Sequence, residues 1–171
     1  FERLGSIVHN TADSILLSRD KIAATQVMAE CGLPVPKTIR VASMNDCLYA
    51  LRAIGSYPLV IKASEGTQGS SVFLIDDQAR AISLLSQMFE RGMRPLVQEY
   101  IEESHGRDIR VIVVRGRVVA SMVRKARGSE FRSNFHLGGS VEAVTLTSDQ
   151  ANVAIKAADG LGLDVAGVDM L

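Results

Sequence analysis

Two pairs of apolar, β-branched runs constrain this chain more than anything else in it: YPLVI (57–61) with VFLI (72–75), and DIRVIVV (108–114) with RVVASMV (117–123). Within each pair a turn, not a helix, separates the runs, so the strands are read as antiparallel hairpins. A doubly wound fold, in which strands and helices alternate strictly, does not fit that order. Helical patterns lie between the pairs. Residues 11 to 31 read as one helix, ended by Gly32 and Pro34. Ser43 with Asp46 reads as a capping-box start for a helix ending at Gly55. A third helix covers about 77 to 91 and aligns Ile82, Leu85 and Phe89 on one stripe; a fourth opens at Thr147 and Gln150 with Ala151, Ala154, Ile155 and Ala158 on one side. LPVPKTIRV is extended, PLVQEYI is a strand, and DVAGVDML closes the chain as another. The pattern predicts an α+β chain of two lobes, each a mostly antiparallel sheet with helices against it. The seam is expected near Arg94 to Gln98, with the ligand in the crevice between the lobes.

A chain of 171 residues that is 47% hydrophobic and 22% charged can bury a core as a soluble globular protein does. No uncharged apolar run reaches membrane-spanning length, and FERLGSIVHN has neither a basic leader nor a long apolar stretch. A cytoplasmic protein without a membrane partner is expected. Cys31 and Cys47 are too few for a disulfide framework or a metal cluster and read as reduced packing residues in helices. The absence of an initiating Met and the stop at GVDML suggest an internal portion of something longer.

Formal charge is zero overall but unevenly spread, since His105 to His136 carries eight Lys or Arg against two acids, a net of +6. Such a segment suggests an anionic ligand, or else a solvated sheet face balanced by acids elsewhere. Nucleic acid is the weaker reading, because only Phe131 and Phe135 are aromatic there and no reader motif is present.

The turn KASEGTQGSS (62–71) fits a plain hairpin connection or something that holds a ligand. Lys62 ends an apolar strand, where an ammonium is costly unless an anion or a cavity meets it. Gly66 and Gly69 let backbone approach a ligand closely, and Thr67 and Gln68 add donors. The order is neither a Walker A loop nor a Rossmann turn. What remains is a glycine-rich hairpin that could cover phosphates as a lid.

Other candidates come from charge placed in strands and loops. Asp169, in the apolar strand AGVDML, reads as a buried carboxylate that is either half of an ion pair or a metal ligand. Asp108 and Arg110 share one strand face, with an ion pair between them as the plain reading. EFRSN gathers Arg132, Ser133 and Asn134 in a loop, which suits multidentate binding of phosphate or carboxylate, or a loop that caps itself.

In order, RDK (19–21), PLVIK with EGTQG (58–69), VQEYI (97–101), GRDIR (106–110), FRSN with GG (131–139) and AGVDML (166–171) resemble the ATP-grasp carboxylate–amine ligases, most closely the RimK type. That family adds glutamate to the C-terminal tail of a small-subunit ribosomal protein. The resemblance covers essentially the whole chain. It implies an ATP-grasp fold with residues 1–18 as an entry segment, 19–95 as the small lobe with its lid, and 96–171 as a truncated large lobe. It implies that Lys62, and Lys21 beside it in role, contact the nucleotide phosphates, with Gly66, Thr67, Gln68, Gly69 and Ser70 as the lid above them. Glu99, Tyr100 and Ile101 would form the strand whose backbone meets adenine, and Asp108 would take the ribose hydroxyls. Arg132, Ser133 and Asn134 would face phosphate or an acyl-phosphate, Arg132 and Asn134 in catalytic roles. Asp169 would ligate magnesium or manganese, although the Glu and Asn that complete this family's metal site fall outside the sequence.

The expected activity is an ATP-dependent α-L-glutamate ligase working through an acyl-phosphate and releasing ADP and phosphate, with a ribosomal protein tail as acceptor. Alternatives are a related ligase for an amino-group carrier protein or a cofactor, and a nucleotide-binding fragment without catalysis. A homo-oligomer without direct nucleic-acid contact is the expected assembly.

Overall fold

The computed structural model describes residues 1–64, 72–126 and 139–171. They form two compact units, one of residues 35–102 and one of 1–34 with 103–171.

The unit of residues 35–102 is built on a four-stranded antiparallel sheet of β1 (Thr38–Arg40), β2 (Leu59–Ala63), β3 (Val72–Ile75) and β4 (Pro95–Glu99), in the order β1-β4-β2-β3. Leu59 and Ile61 of β2 and Val97 of β4 project to one face. There they meet Cys47, Ala50, Leu51 and Ile54 of α3 (Cys47–Ile54) and Ala81, Leu85 and Met88 of α4 (Gln78–Glu90). The expected stripe shifts slightly: Leu85 is fully buried, while Ile82 and Phe89 flank the core half-buried. Asp77 caps α4 by accepting from the Arg80 amide at 2.9 Å. The capping box read at Ser43 does not form. Ser43 Oγ donates to the Asp46 carboxylate at 2.8 Å, and a 3₁₀ turn over Met44–Asp46 precedes α3.

The other unit carries β5 (Arg107–Val114), β6 (Arg117–Lys125), β7 (Ser140–Ala143) and β8 (Val165–Met170), antiparallel throughout and ordered β7-β6-β5-β8. β7 had no signal in the sequence; all four of its residues are exposed. The expected β5–β6 hairpin turns on Arg115 and Gly116, both at positive φ, as a two-residue primed turn requires. Val111, Val113 and Ala166 bury one sheet face against Ala154 and Ala158 of α5 (Ser148–Gly160). The capping box at the start of α5 forms as read, with Thr147 and Gln150 exchanging side-chain hydrogen bonds with each other's amides at 3.2 and 3.0 Å.

Two sequence expectations change here. The single helix over 11 to 31 is two, α1 (Ala12–Arg19) and α2 (Lys21–Glu30), broken at Asp20. Asp20 adopts an extended backbone and its carboxylate accepts from the Ile22 and Ala23 amides at 2.9 and 3.2 Å, so it caps α2. The seam expected near Arg94 to Gln98 lies after β4, which is a central strand of the 35–102 sheet. Residues 1–34 group with the far end of the chain because side chains tie them there. Asn10 pairs with Val165 like a strand residue, donating to its carbonyl and accepting from its amide at 2.8 Å each. His9 bonds Asp164 and meets Arg115 Nη2 at 3.1 Å.

Candidate functional site

Alternation along β2 sends Leu59 and Ile61 into the core and leaves Val60 and Lys62 on the opposite face. In register, Lys62 faces Leu96, and Gln98 faces both Val60 and Thr38. The diagonal step from Lys62 to Gln98 is within reach of long side chains. Lys62 Nζ donates to Gln98 Oε1 at 2.8 Å, Gln98 Nε2 donates to Thr38 Oγ1 at 2.6 Å, and that hydroxyl donates to the Pro36 carbonyl at 2.8 Å. This relay across three strands orients the half-buried ammonium through a neutral amide acceptor.

One residue further along β4, Glu99 donates its amide to the Lys37 carbonyl at 2.9 Å, and its carboxylate accepts from the Lys37 amide at 2.7 Å. Its side chain therefore extends the β1–β4 pairing. Tyr100 follows, its phenol pushed above the ordinary range by burial and by the nearby Glu102 carboxylate. Ile101 is half-buried beside it. Lys21 is the first residue of α2, half-buried, and its carbonyl accepts from Thr25 Oγ1 at 2.7 Å.

On the second sheet four charges meet on the face opposite α5. Asp108 and Arg124 are directly cross-strand, as are Arg110 and Asp169. Arg124 grips Asp108 with two bonds, Nε to Oδ1 at 2.7 Å and Nη2 to Oδ2, and both residues are buried. Arg110 grips Asp169 the same way, with Nη2 to Oδ2 at 2.6 Å, and Arg124 Nη2 also approaches Asp169 Oδ1 at 3.0 Å. These bonds to Asp108 raise the Arg124 pKa above its ordinary value, so its charge is secure. Two expectations are corrected. Asp108 pairs with Arg124 and not with Arg110. Asp169 is not buried: its side chain is 42% exposed, because β8 turns Ala166, Val168 and Met170 to the core and Asp169 to the other face.

Neither Arg124 nor Gln98 was among the residues singled out from the sequence. Counting back from the two-residue turn pairs Asp108 with Val123; a β-bulge at Ile112/Val113 adds one residue to β6 and brings Arg124 opposite instead. The basic segment is partly neutralised within its own sheet, by Asp108 on Arg124, Asp169 on Arg110 and Glu142 on Lys125, the last at 3.0 Å. The balanced sheet face holds for Arg110 and Lys125, whose partners Asp169 and Glu142 lie outside the segment; Arg124 is buried and its partner Asp108 is already counted in the +6. Gly66, Thr67, Gln68, Gly69 and Ser70, and likewise Arg132, Ser133 and Asn134, lie outside the described residues.

Asp169 by itself would be an incomplete site for a divalent cation. Asp169 is already held by two guanidiniums, and no group of three His, Cys, Asp or Glu that could hold a metal occurs among the described residues.

Residues 18–171 match the family model of the RimK-like ATP-grasp domain. The chain belongs to that family. Over all 171 residues this RimK-like domain is 42% identical to a protein of Aeromonas salmonicida named "Probable alpha-L-glutamate ligase", and spans 57% of that relative's length. Among solved structures it resembles the D-alanine–D-alanine ligase of Bacillus anthracis complexed with ATP, with TM-score 0.80, 22% identity, and 99% of this chain and 56% of that one covered. It also resembles a RimK domain ATP-grasp protein of Sphaerobacter thermophilus, with TM-score 0.76, 23% identity, and 99% and 60% covered. At these identities the structural likeness establishes the ATP-grasp fold, in agreement with the two antiparallel sheets and their helices. No helix among the described residues is long and apolar enough to cross a membrane.

Proposed function

We propose that this chain is the ATP-grasp portion of an ATP-dependent α-L-glutamate ligase whose acceptor is the C-terminal tail of a ribosomal protein. The observation that carries the reading is 42% identity across the entire chain to a relative named for glutamate ligation. Lys62 supports it from the structure, since a half-buried strand-end ammonium is an apt contact for phosphate. ATP enters as co-substrate. Its γ-phosphoryl group passes to a carboxylate oxygen of the acceptor, giving an acyl-phosphate and ADP. The α-amine of glutamate then attacks the acyl carbon, the bond to the phosphate oxygen breaks, and the amine proton leaves with solvent.

No side-chain nucleophile is required, so the protein's work is positioning and charge compensation. Lys62, with Lys21, would hold the phosphates. Gly66 to Ser70 would cover them. The strand end at Glu99, Tyr100 and Ile101 would meet adenine, and the Glu99 amide, already donated to Lys37, leaves that contact to other backbone groups. Asp108 would accept from the ribose hydroxyls. Arg132, Ser133 and Asn134 would face the transferred phosphoryl group. No step is assigned to a metal at Asp169. A cytoplasmic homo-oligomer completes the reading.

Calorimetry on the protein taken at the full length of its relatives should register ATP, competed by ADP, and Lys62→Ala should weaken it by about 1.5–3 kcal/mol, roughly 10- to 150-fold. ADP release should require glutamate together with a peptide bearing the ribosomal protein tail. Release with a carrier-protein acceptor instead would move the assignment to the related ligases. ATP binding without turnover on any acceptor would make this a binding module, and no ATP binding at all would end the reading.

A further inference from the structure

We infer that Arg124 is a positioning residue that fixes the Asp108 carboxylate in the orientation needed to receive a vicinal diol. The inference rests on the proposed contact between Asp108 and ribose. Arg124 is 8% exposed, yet it lies on the sheet face that α5 does not cover, and it spends its guanidinium on acids of two other strands. The fork to Asp108 uses one lone pair on each carboxylate oxygen and fixes the plane of the group. Each oxygen keeps a second lone pair, and two acceptors at a fixed spacing are what adjacent hydroxyls require.

The remaining charges support this placement. Arg110 holds Asp169 on its far side by lying over Gly167, where a Cβ would come within 3.4 Å of Arg110 Cδ. The Asp169 carboxylate is thus anchored by Arg110 while its Oδ1 stays within 3.0 Å of Arg124, which keeps Arg124 from turning away from Asp108. The four charges cancel. A buried ion pair is in general no more stabilising than apolar packing of the same volume, so a pair kept at 7% and 8% exposure, beside Arg110 and Asp169 whose side chains are 33% and 42% exposed, points to orientation as its use. Lysine cannot replace the fork, because it offers point-charge donors without the planar geometry.

The test compares ATP with 2′,3′-dideoxy-ATP, in the protein at the full length of its relatives, for the unaltered chain, Arg124→Gln and Arg124→Lys. The unaltered protein should prefer ATP by about tenfold or more, as expected for hydrogen bonds to a charged group. Both variants should bring that preference below about threefold, including Arg124→Lys, which keeps the charge and loses the fork. Variants that weaken both nucleotides equally and retain the preference would make Arg124 merely structural and overturn the inference while leaving the ATP reading intact. An unaltered protein that binds both nucleotides alike would remove Asp108 from the ribose, and the inference with it. One that binds neither would sink the ATP reading itself. Should Arg124→Gln fail to fold, the ratio measured on Arg124→Lys decides.

Discussion

At the scale of single residues, the two cysteines show how position overrides composition. Cys47 is 2% exposed at the start of α3, and burial, with Asp46 beside it, raises its thiol pKa. Cys31 caps the end of α2 and is exposed, although its Sγ packs against Gly160, where an added Cβ would lie 2.8 Å from it. A thiol reagent at pH 8 should therefore label one cysteine in the folded chain, and the second only after unfolding. Labelling of both at equal rates would contradict the burial of Cys47. The raised pKa also has a sign for stability. Below the ordinary thiol pKa, roughly 8.5, both states keep the proton and nothing is lost. Above it the unfolded chain ionises first, so stability falls as pH rises toward the folded value. Tyr57 and Tyr100 are raised in the same direction and add to the alkaline loss. Among site residues, Lys62 was legible because an ammonium ending an apolar strand is conspicuous. Asp169 was legible as a charge but not as an exposed one, since a strand in an apolar sequence context still has two faces.

At the scale of elements, local signals carried far. The Arg115–Gly116 turn and the Thr147 capping box each follow from residues within four positions of one another, and both stand in the structure. The break at Asp20 and the pairing of Asp108 were hidden for a different reason: each depends on a competing local bond or an inserted residue that helical or strand periodicity averages away. Glycines at element ends allow a sharp test. Gly32 and Gly162 have φ of +72° and +65°, and an added Cβ meets open space at Gly32 but lies 2.9 Å from Ser14 Oγ at Gly162. Gly32→Ala should cost only the left-handed penalty, about 1–2 kcal/mol. Gly162→Ala should cost more in thermal unfolding, and Ser14→Ala in that background, which removes the hydroxyl without placing a glycine in α1, should return part of the excess. Equal losses at the two sites would mean that Ser14 moves aside freely.

At the scale of the whole chain, sequence order is a poor guide, because residues 1–34 belong with 103–171 through bonds between positions about 155 residues apart. No periodicity reports such a pairing; it depends on Asn10 imitating a strand residue beside Val165. The two units also have separate cores, one around Leu59, Ile61, Leu85 and Val97, the other around Val111, Val113, Ala154 and Ala158. Leu85 is fully buried between α4 and the first sheet, so Leu85→Ala removes apolar contacts and leaves a cavity, at a cost of about 2–5 kcal/mol. Since packing loss is felt where the contacts were, that cost should fall on the unit of residues 35–102. Hydrogen exchange should show the amides of Ile61 and Val97 losing protection while those of Val111 and Ala166 keep theirs. If all four lose protection together, the chain opens as one cooperative unit and the separation of its cores has no energetic meaning. If only the first pair responds, the nucleotide contacts proposed at Lys62 and at Asp108 rest on separately stabilised scaffolds, and a core substitution in one unit should weaken the phosphate contacts without altering the preference for ribose.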